Sequence, residues 1–338
     1  MNSRRRFSLV FVLLGCACAV FAAEKPGKPP RFEDLVREFD YDRNALLNIQ
    51  EESKTERDGA IVIELSYDSP RGGRVPATLV SSPGKGPFAG ILFGHWMMPR
   101  SEFRNRKEFF EEALLLARSG AVSLLTDAPM VRPGFVAEKE GLKGEIQNAE
   151  ASRQQVVDFR RAVDLLIARG NVDPARLAFV GHSYNAHTGG ILCGVEKRIG
   201  SFVLMAGVFA DEEYIFDSKT PAIIEFRQRS GEEQLRNFFR QYAFDDPVYF
   251  IGHSAPAAVF LQFGRDDTPI PEARARGYFD RFAEPKKIGF YKAGHALNGE
   301  ARKDRVQWLA ERLKLSPVDP EAIERVPLLD RNEKEEKD

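Results

Sequence analysis

The chain turns from a strand into a helix within a few residues at Arg176-Leu-Ala-Phe-Val-Gly-His-Ser-Tyr-Asn-Ala186. An apolar strand runs into Gly181-His-Ser183 and then at once into a helix-forming segment, which is typical of a nucleophile elbow. Such a turn strains the backbone at the serine and needs small residues two positions before and after it. Gly181 fills the first position, and Asn185, which is small and tolerates unusual backbone angles, fills the second. The stretch therefore predicts Ser183 as a nucleophile.

The tripeptide Gly-His-Ser occurs a second time, at Gly252-His-Ser254. This copy precedes Pro256 and a predicted strand, whereas an elbow follows a strand and opens a helix. We therefore expect Ser254 to be a loop residue without a catalytic role.

A serine nucleophile needs a base that takes its proton, and five histidines are available. His182 and His187 adjoin the serine along the chain, where an elbow points them elsewhere. His95 follows an early strand, and His253 lies in the second Gly-His-Ser. His295 lies in a glycine-containing loop directly after the last predicted strand, where the chain order Ser, Asp, His places the base.

The acid that orients this histidine belongs after the preceding strand, in Phe263-Gly-Arg-Asp-Asp-Thr-Pro269. Two adjacent aspartates compete there. The spacing from Gly264 and the following Ile270-Pro271 favour Asp267, which leaves Asp266 as a turn or capping residue. The predicted triad is Ser183, Asp267 and His295.

The developing oxyanion needs backbone N–H donors. We expect one to be the amide of Tyr184, directly after the nucleophile at a helix N-terminus. The other belongs in the loop after the strand Ile91-Leu-Phe93, and we assign it to the amide of Trp96. His95 and Trp96 can also pack beneath the site.

The rest of the chain alternates short apolar strands with amphipathic helices, which indicates a mostly parallel, twisted sheet with helices on both faces. An antiparallel hairpin, 60–67 and 75–80, precedes it. The predicted strands are 89–93, 122–126, 177–180, 201–206, 257–263 and 287–291. The predicted helices are 107–118, 149–169, 184–195, 272–282 and 301–313. Two segments, 130–147 as a long loop and 210–252 as aromatic-rich helical turns, either overhang the site or are ordinary insertions.

Four regions make up the predicted domain organisation. Residues 1–22 read as a cleaved signal peptide, because three arginines precede an apolar run that ends in small residues. Residues 23–59 form a linker and arm, 60–315 the catalytic domain, and 316–338 a charged tail. The apolar run is short for a membrane span, so we expect no span after cleavage. Export to the periplasm or the medium follows, and a lipoprotein anchored at Cys16 is the alternative.

Composition narrows the function further. The 338 residues carry a formal net charge of −1 with the two signs interspersed, so we expect no nucleic-acid partner. Signal cleavage would leave Cys193 as a lone buried cysteine without a disulfide partner. His182 and His187 do not form the His-Glu-x-x-His arrangement, so no metal is expected. We also predict no cofactor, and the oligomeric state stays open.

Residues from about 67 to 313 resemble α/β-hydrolases of the dienelactone hydrolase and prolyl-oligopeptidase-like esterase group. The matching segments are Gly94-His-Trp96, Val172-Asp-Pro-Ala-Arg176, Gly181-His-Ser183, Gly264-Arg-Asp-Asp267 and Gly294-His295. The resemblance implies the α/β-hydrolase fold and the same nucleophile, acid, base and oxyanion loop. Two departures stand out, because dienelactone hydrolases use a cysteine in place of Ser183 and the group usually has glycine in place of Asn185.

The sequence therefore predicts a carboxylic-ester hydrolase that forms an acyl-enzyme on Ser183. Its expected partner is a small-molecule ester or acylated substrate. Peptide or amide hydrolysis is the alternative that the prolyl-oligopeptidase resemblance suggests. A non-catalytic binding protein on a hydrolase scaffold is a second alternative, suggested by Asn185.

Overall fold

The computed structural model describes residues 30–207 and 211–329. The predicted signal peptide, the lipoprotein position Cys16 and the last nine residues of the predicted tail lie outside these ranges.

The described residues form nine strands of a single sheet. They are β1 (Gln50–Arg57), β2 (Ala60–Asp68), β3 (Arg74–Ser81), β4 (Phe88–Gly94), β5 (Ala121–Thr126), β6 (Val172–His182), β7 (Ser201–Met205), β8 (Ala258–Gly264) and β9 (Lys286–Tyr291).

Strand order and direction place the carboxyl ends of the six adjacent parallel strands, β4 to β9, along one edge. The order is β1-β2-β3-β5-β4-β6-β7-β8-β9. The pairs β1–β2, β2–β3 and β3–β5 are antiparallel, and all remaining pairs are parallel. Open α/β sheets bind ligands outside the carboxyl ends of their parallel strands, so a site is expected at that edge.

Ten α-helices are formed by the described residues. They are α1 (Phe32–Val36), α2 (Phe110–Ala117), α3 (Gly141–Ala168), α4 (Tyr184–Val195), α5 (Asp211–Asp217), α6 (Pro221–Ser230), α7 (Glu232–Gln241), α8 (Glu272–Arg281), α9 (Gly299–Leu313) and α10 (Pro320–Arg325). Short 3-10 turns follow α7 at Ala243–Asp245, Pro247–Tyr249 and Ile251–His253.

Two hydrophobic cores cover the two faces of the sheet. On one face, α1, α3, α4 and α8 pack against the strands, with the rings of Phe159 and Phe179 edge to face at 4.9 Å. On the other face, α2, α9 and α10 pack around Phe93 and Phe109. Burying each such ring contributes roughly 1.5–3 kcal/mol. The predicted fold class, a mostly parallel sheet with helices on both faces and an antiparallel N-terminal part, is confirmed.

Two elements differ from the sequence prediction. Helix α3 begins at Gly141, inside the segment predicted as a loop. The sequence did not indicate these first two turns because they are mostly exposed and the apolar pattern starts only at Ala149. Strand β1 lies in the predicted arm and was not expected, since all eight of its residues are exposed and it lacks alternation. A charged edge strand of this kind resists pairing with other chains.

No helix among residues 30–207 and 211–329 is long and apolar enough to cross a membrane.

Candidate active site

Ser183 occupies the sharp turn between β6 and α4. Its backbone has φ 52° and ψ −111°, a strained conformation for a residue with a side chain. Its N–H donates to the carbonyl oxygen of Met205 (2.8 Å), and its own carbonyl accepts from the N–H groups of Ala186 and His187. These bonds hold the partly exposed serine at the carboxyl edge of the sheet.

Glycine is required at position 181 by the closeness of strand and helix. A Cβ there would lie 2.1 Å from the carbonyl oxygen of Asn185. The second Gly-His-Ser forms no such turn, because Ser254 ends a 3-10 turn at φ −66° and is buried. Of the two Gly-His-Ser serines, Ser183 therefore has the elbow conformation and Ser254 does not.

The three side chains predicted as a triad lie in one hydrogen-bonded chain. Nε2 of His295 lies 2.8 Å from Oγ of Ser183, and Nδ1 lies 2.8 Å from Oδ2 of Asp267. The Asp267 side chain is fully buried, whereas Asp266 is exposed and does not contact the imidazole. An acceptor carboxylate on Nδ1 leaves Nε2 free to take the serine proton.

Glycine at the end of β8 allows this approach. A Cβ at Gly264 would lie 2.3 Å from the carbonyl oxygens of Ala293 and Gly294. The loop that carries the aspartate and the loop that carries the histidine can therefore touch, which sets the distance between Asp267 and His295.

The two predicted oxyanion donors differ in the structure. The amide of Tyr184, at the N-terminus of α4, donates to no acceptor among the described residues. The amide of Trp96 donates to Oε2 of Glu108 at 2.5 Å, so this predicted donor is engaged by a carboxylate. The next amide along, that of the partly exposed Met97, has no acceptor within the described residues.

A buried pair of Glu108 and His182 links the two loops of the site. Oε1 of Glu108 lies 2.5 Å from Nδ1 of His182, and both side chains are fully buried. Nε2 of His182 lies 2.9 Å from the carbonyl oxygen of His295, and the two imidazoles stack at 5.6 Å. Both ring nitrogens of His182 therefore face oxygen atoms, one of the Glu108 carboxyl group and one of the His295 backbone.

Asn185 connects the elbow to the loop after β4. Its side chain is fully buried, Nδ2 donates to the carbonyl oxygen of His95 (2.6 Å), and Oδ1 accepts from Oγ of Thr188 (3.0 Å). The residue that replaces the usual glycine thus fixes the backbone next to Trp96.

His95 is held as a neutral imidazole beneath the same loop. Burial lowers its pKa, against the opposing effect of its hydrogen bond to the Trp96 carbonyl. Nδ1 lies 2.7 Å from that carbonyl, and Nε2 accepts from the N–H of Ala128 at 2.9 Å. These two contacts fit one tautomer, with the proton on Nδ1.

The remaining histidines have other contacts. Nε2 of His187 lies 2.7 Å from the carbonyl oxygen of Asp245, and the ring of His253 stacks on Phe32 at 3.6 Å. Burial raises the pKa of the Asp245 carboxyl, opposed by its contact with His187.

Within the described residues, no cluster of three or more His, Cys, Asp or Glu side chains has metal-binding geometry.

Sequence reasoning missed Glu108 and the contact of the Asn185 side chain. Glu108 lies in a stretch of charged residues just before α2, where a carboxylate is normally solvated. Nothing in its neighbours along the chain signals burial, because both of its partners come from other loops.

Comparisons with known proteins rest on structure. No protein-family profile and no curated protein matches this sequence. The acetyl xylan esterase from Paenibacillus sp. R4 aligns with a TM-score of 0.67 at 14% identity, over 83% of this chain and 92% of that one. Acetyl xylan esterase 1 from Thermoanaerobacterium sp. JW/SL YS485 gives 0.66 at 15% identity, over 85% and 96%. Prolyl oligopeptidase B from Galerina marginata gives 0.58 at 17% identity, over 77% and 37%.

Identities this low speak to the fold alone. Together with the strand order and the elbow after β6, they show that this chain has the α/β-hydrolase fold.

Proposed function

We propose that this chain is a serine hydrolase that cleaves carboxylic esters through an acyl-enzyme on Ser183. The observation that carries the proposal is the continuous hydrogen-bonded chain from Oγ of Ser183 through His295 to the buried Asp267. A strained serine beside a correctly oriented imidazole is the arrangement that activates a hydroxyl group.

The mechanism follows from the positions of the protons. Oγ of Ser183 attacks the ester carbonyl carbon while its proton passes to Nε2 of His295, and Asp267 stabilises the resulting imidazolium. The imidazolium then gives the proton to the leaving alkoxide, which departs as the alcohol. Water attacks the acyl-enzyme with His295 again as base, and the carboxylic acid leaves as the proton returns to Ser183.

The negative charge on the tetrahedral oxygen needs two N–H donors. We assign one to the amide of Tyr184, at the N-terminus of the 12-residue helix α4, where the helix dipole also favours negative charge. The second role passes from Trp96 to the amide of Met97, because the Trp96 amide is bound by Glu108.

Similar structures support an ester as the substrate class. Two of the aligned proteins are named as acetyl xylan esterases, and this chain covers more than nine-tenths of each. The prolyl oligopeptidase keeps amide hydrolysis as a second candidate, but this chain covers only 37% of that protein.

Hydrolysis of p-nitrophenyl acetate by the full chain tests the proposal. Ser183→Ala should lower kcat by about 10³-fold or more, because the nucleophile is lost while the fold is kept. Asp267→Asn should lower kcat by up to about 10⁴-fold through the wrong imidazole tautomer. Asp266→Asn is the matched control and should leave kcat within about twofold.

Labelling with a fluorophosphonate separates a selective enzyme from an inactive scaffold. The folded wild-type chain should be labelled at Ser183, and Ser183→Ala should not. Absence of labelling in folded protein would contradict the catalytic proposal and favour a binding protein. An N-acyl p-nitroanilide measured beside the ester would decide between amide and ester substrates.

We also propose that residues 1–22 direct export. We extend the catalytic domain beyond the predicted bounds of 60 and 315, because β1 pairs with β2 and α10 packs against the second core. Expression with and without residues 1–22, followed by cell fractionation and mass measurement, tests the export proposal. Cleavage after residue 22 is expected, whereas a lipid-modified Cys16 would establish the anchored form.

A further inference from the structure

A cavity of about 340 Å³ lies in the segment between β7 and β8, which we call the cap (residues 211–252). Volumes of this order hold small-molecule ligands. The wall includes nine apolar or aromatic side chains, and Glu145 of α3 closes one side. Its aromatic members are Tyr214, Phe226, Phe238, Phe239, Tyr242 and Tyr249.

The aromatic rings hold one another in place. Phe238 packs edge to face on Phe239 at 5.2 Å and stacks on Tyr242 at 5.0 Å. Rings fixed in this way offer both faces and edges to an additional ring without reorganising. The shape of the cavity therefore favours an aromatic group over an aliphatic group of the same size.

The cavity adjoins the elbow without including the reacting atoms. Asp245 lines it, and the carbonyl oxygen of Asp245 lies 2.7 Å from Nε2 of His187. The N–H of His187 in turn donates to the carbonyl oxygen of Ser183 at 3.0 Å. Neither Ser183 nor His295 is among the lining residues, so a group bound here is remote from the bond that breaks.

The described part of the wall is acidic. Four carboxyl groups line it, those of Glu145, Glu212, Asp245 and Asp246, and no lysine or arginine does. Three arginines contact lining residues without lining the cavity: Arg236 is 3.8 Å from Glu212, Arg274 lies over the ring of Tyr214, and Arg227 donates to the carbonyl oxygen of Ile215. A negatively charged ligand would meet more carboxylates than cations, and like charges at close range disfavour binding.

We infer that the cap cavity binds an aromatic group of the substrate that carries no negative charge, at a distance from the ester. The inference rests on the proposed ester hydrolysis for its meaning, because binding of a remote group supplies energy that positions the reacting carbonyl. The predicted substrates are esters with an aryl group on a short linker, neutral or cationic.

Binding is measured first with the full chain carrying Ser183→Ala, so that no turnover is needed. Four probes of similar size are titrated calorimetrically: 3-phenylpropan-1-ol, 3-phenylpropylammonium, 3-phenylpropanoate and 3-cyclohexylpropan-1-ol. The two uncharged or cationic aryl probes should bind at least about tenfold tighter than the anion. The cyclohexyl probe should bind several-fold weaker than the aryl alcohol.

Phe238→Ala tests the location of binding. Phe238 is only partly buried, so its truncation should be tolerated by the fold, and Phe238→Leu is a milder second variant. Both variants should bind the aryl alcohol more weakly than the unmutated cavity does, by about fivefold for the alanine variant. Phe88→Ala is the matched control, since Phe88 is also partly buried but lies at the amino end of β4, on the opposite edge of the sheet.

Three results would overturn the inference: equal affinity for the anion, unchanged affinity in both Phe238 variants, or no binding to folded protein. Turnover of 3-phenylpropyl acetate and propyl acetate by the wild-type chain then separates the two proposals. If the aryl probes bind but the wild-type chain cleaves neither ester, the esterase proposal is refuted and the cavity assignment stands. Cleavage of both esters at equal kcat/KM, without probe binding, would refute the cavity assignment alone.

Discussion

Replacing Asn185 with glycine restores the residue usual at this position of the elbow, and we expect it to harm this protein. The Asn185 side chain is fully buried and donates to the carbonyl oxygen of His95 at 2.6 Å. Its loss leaves that buried carbonyl without this donor, at a cost of about 1–3 kcal/mol. Glycine in the first turn of α4 adds about 0.5–1 kcal/mol of backbone entropy.

The expected loss in the free energy of unfolding is therefore about 1.5–4 kcal/mol, measured by urea denaturation. Activity on p-nitrophenyl acetate should fall by about ten- to a hundredfold, because the loop that holds Trp96 and Met97 loses its anchor. Asn185→Asp separates the hydrogen bond from the volume, since it keeps the size and replaces the donor with an oxygen facing the His95 carbonyl.

Asn185→Asp should therefore be at least as damaging as Asn185→Gly at neutral pH. A glycine variant within about 0.5 kcal/mol of wild type and with unchanged kcat would refute the anchoring role. Tolerance of the aspartate variant would show that only the volume of the side chain matters.

Three further perturbations test the buried polar groups. Glu108→Ala leaves the Trp96 amide and the His182 imidazole without their partner, and it should lower the free energy of unfolding by about 3–5 kcal/mol in urea denaturation. Glu108→Gln should cost clearly less, because its side-chain amide both accepts and donates a hydrogen bond. Equal losses in the two variants would contradict the network. Arg305→Ala should cost about 3 kcal/mol, because it removes the hydrogen-bonded partner of the buried Glu112 carboxylate and leaves that carboxylate with the Arg302 contact at 3.9 Å. The paired replacement of Arg305 and Glu112 by leucine should cost less than this single change, which a double-mutant cycle measures. Burial lowers the pKa of His95, so the neutral imidazole contributes fully to stability above about pH 6.5. This contribution is lost as the pH falls from there toward the lower folded pKa, by up to about 1.4 kcal/mol per pH unit. His95→Gln should remove this slope from urea titrations between about pH 5 and 7, and an unchanged slope would contradict the assignment.

The central strands could be predicted from the sequence because each is short, apolar and buried on both faces. The strand predicted at 89–93 is observed as Phe88–Gly94, and the one at 201–206 as Ser201–Met205. The loops that carry Asp267 and His295 follow from the same logic, since each begins where a parallel strand ends. Chain order alone could therefore anticipate which side chains meet.

Contacts made across the chain by single polar residues could not be predicted. Glu108 is separated in sequence from both His182 and the Trp96 amide, and only the fold brings a carboxylate beside them. The Trp96 amide shows this: its position along the loop could be seen in the sequence, but the Glu108 carboxylate that accepts from it could not. Strand β1 was missed because exposed charges on both of its faces carry no alternation.

Asparagine at position 185 is possible because the space it needs is provided on the neighbouring strand. In the usual elbow, glycine in the helix lets helix and strand approach each other. In this protein Gly94 ends β4 opposite the helix, and a Cβ there would lie 2.6 Å from the Cβ of Asn185. Because the room lies on the strand, the helix can present a side chain. That side chain reaches the first residue of the loop after β4, at the carbonyl oxygen of His95. The departure from the usual elbow is therefore compensated locally, and it ties together the two backbone segments to which we assign the oxyanion donors.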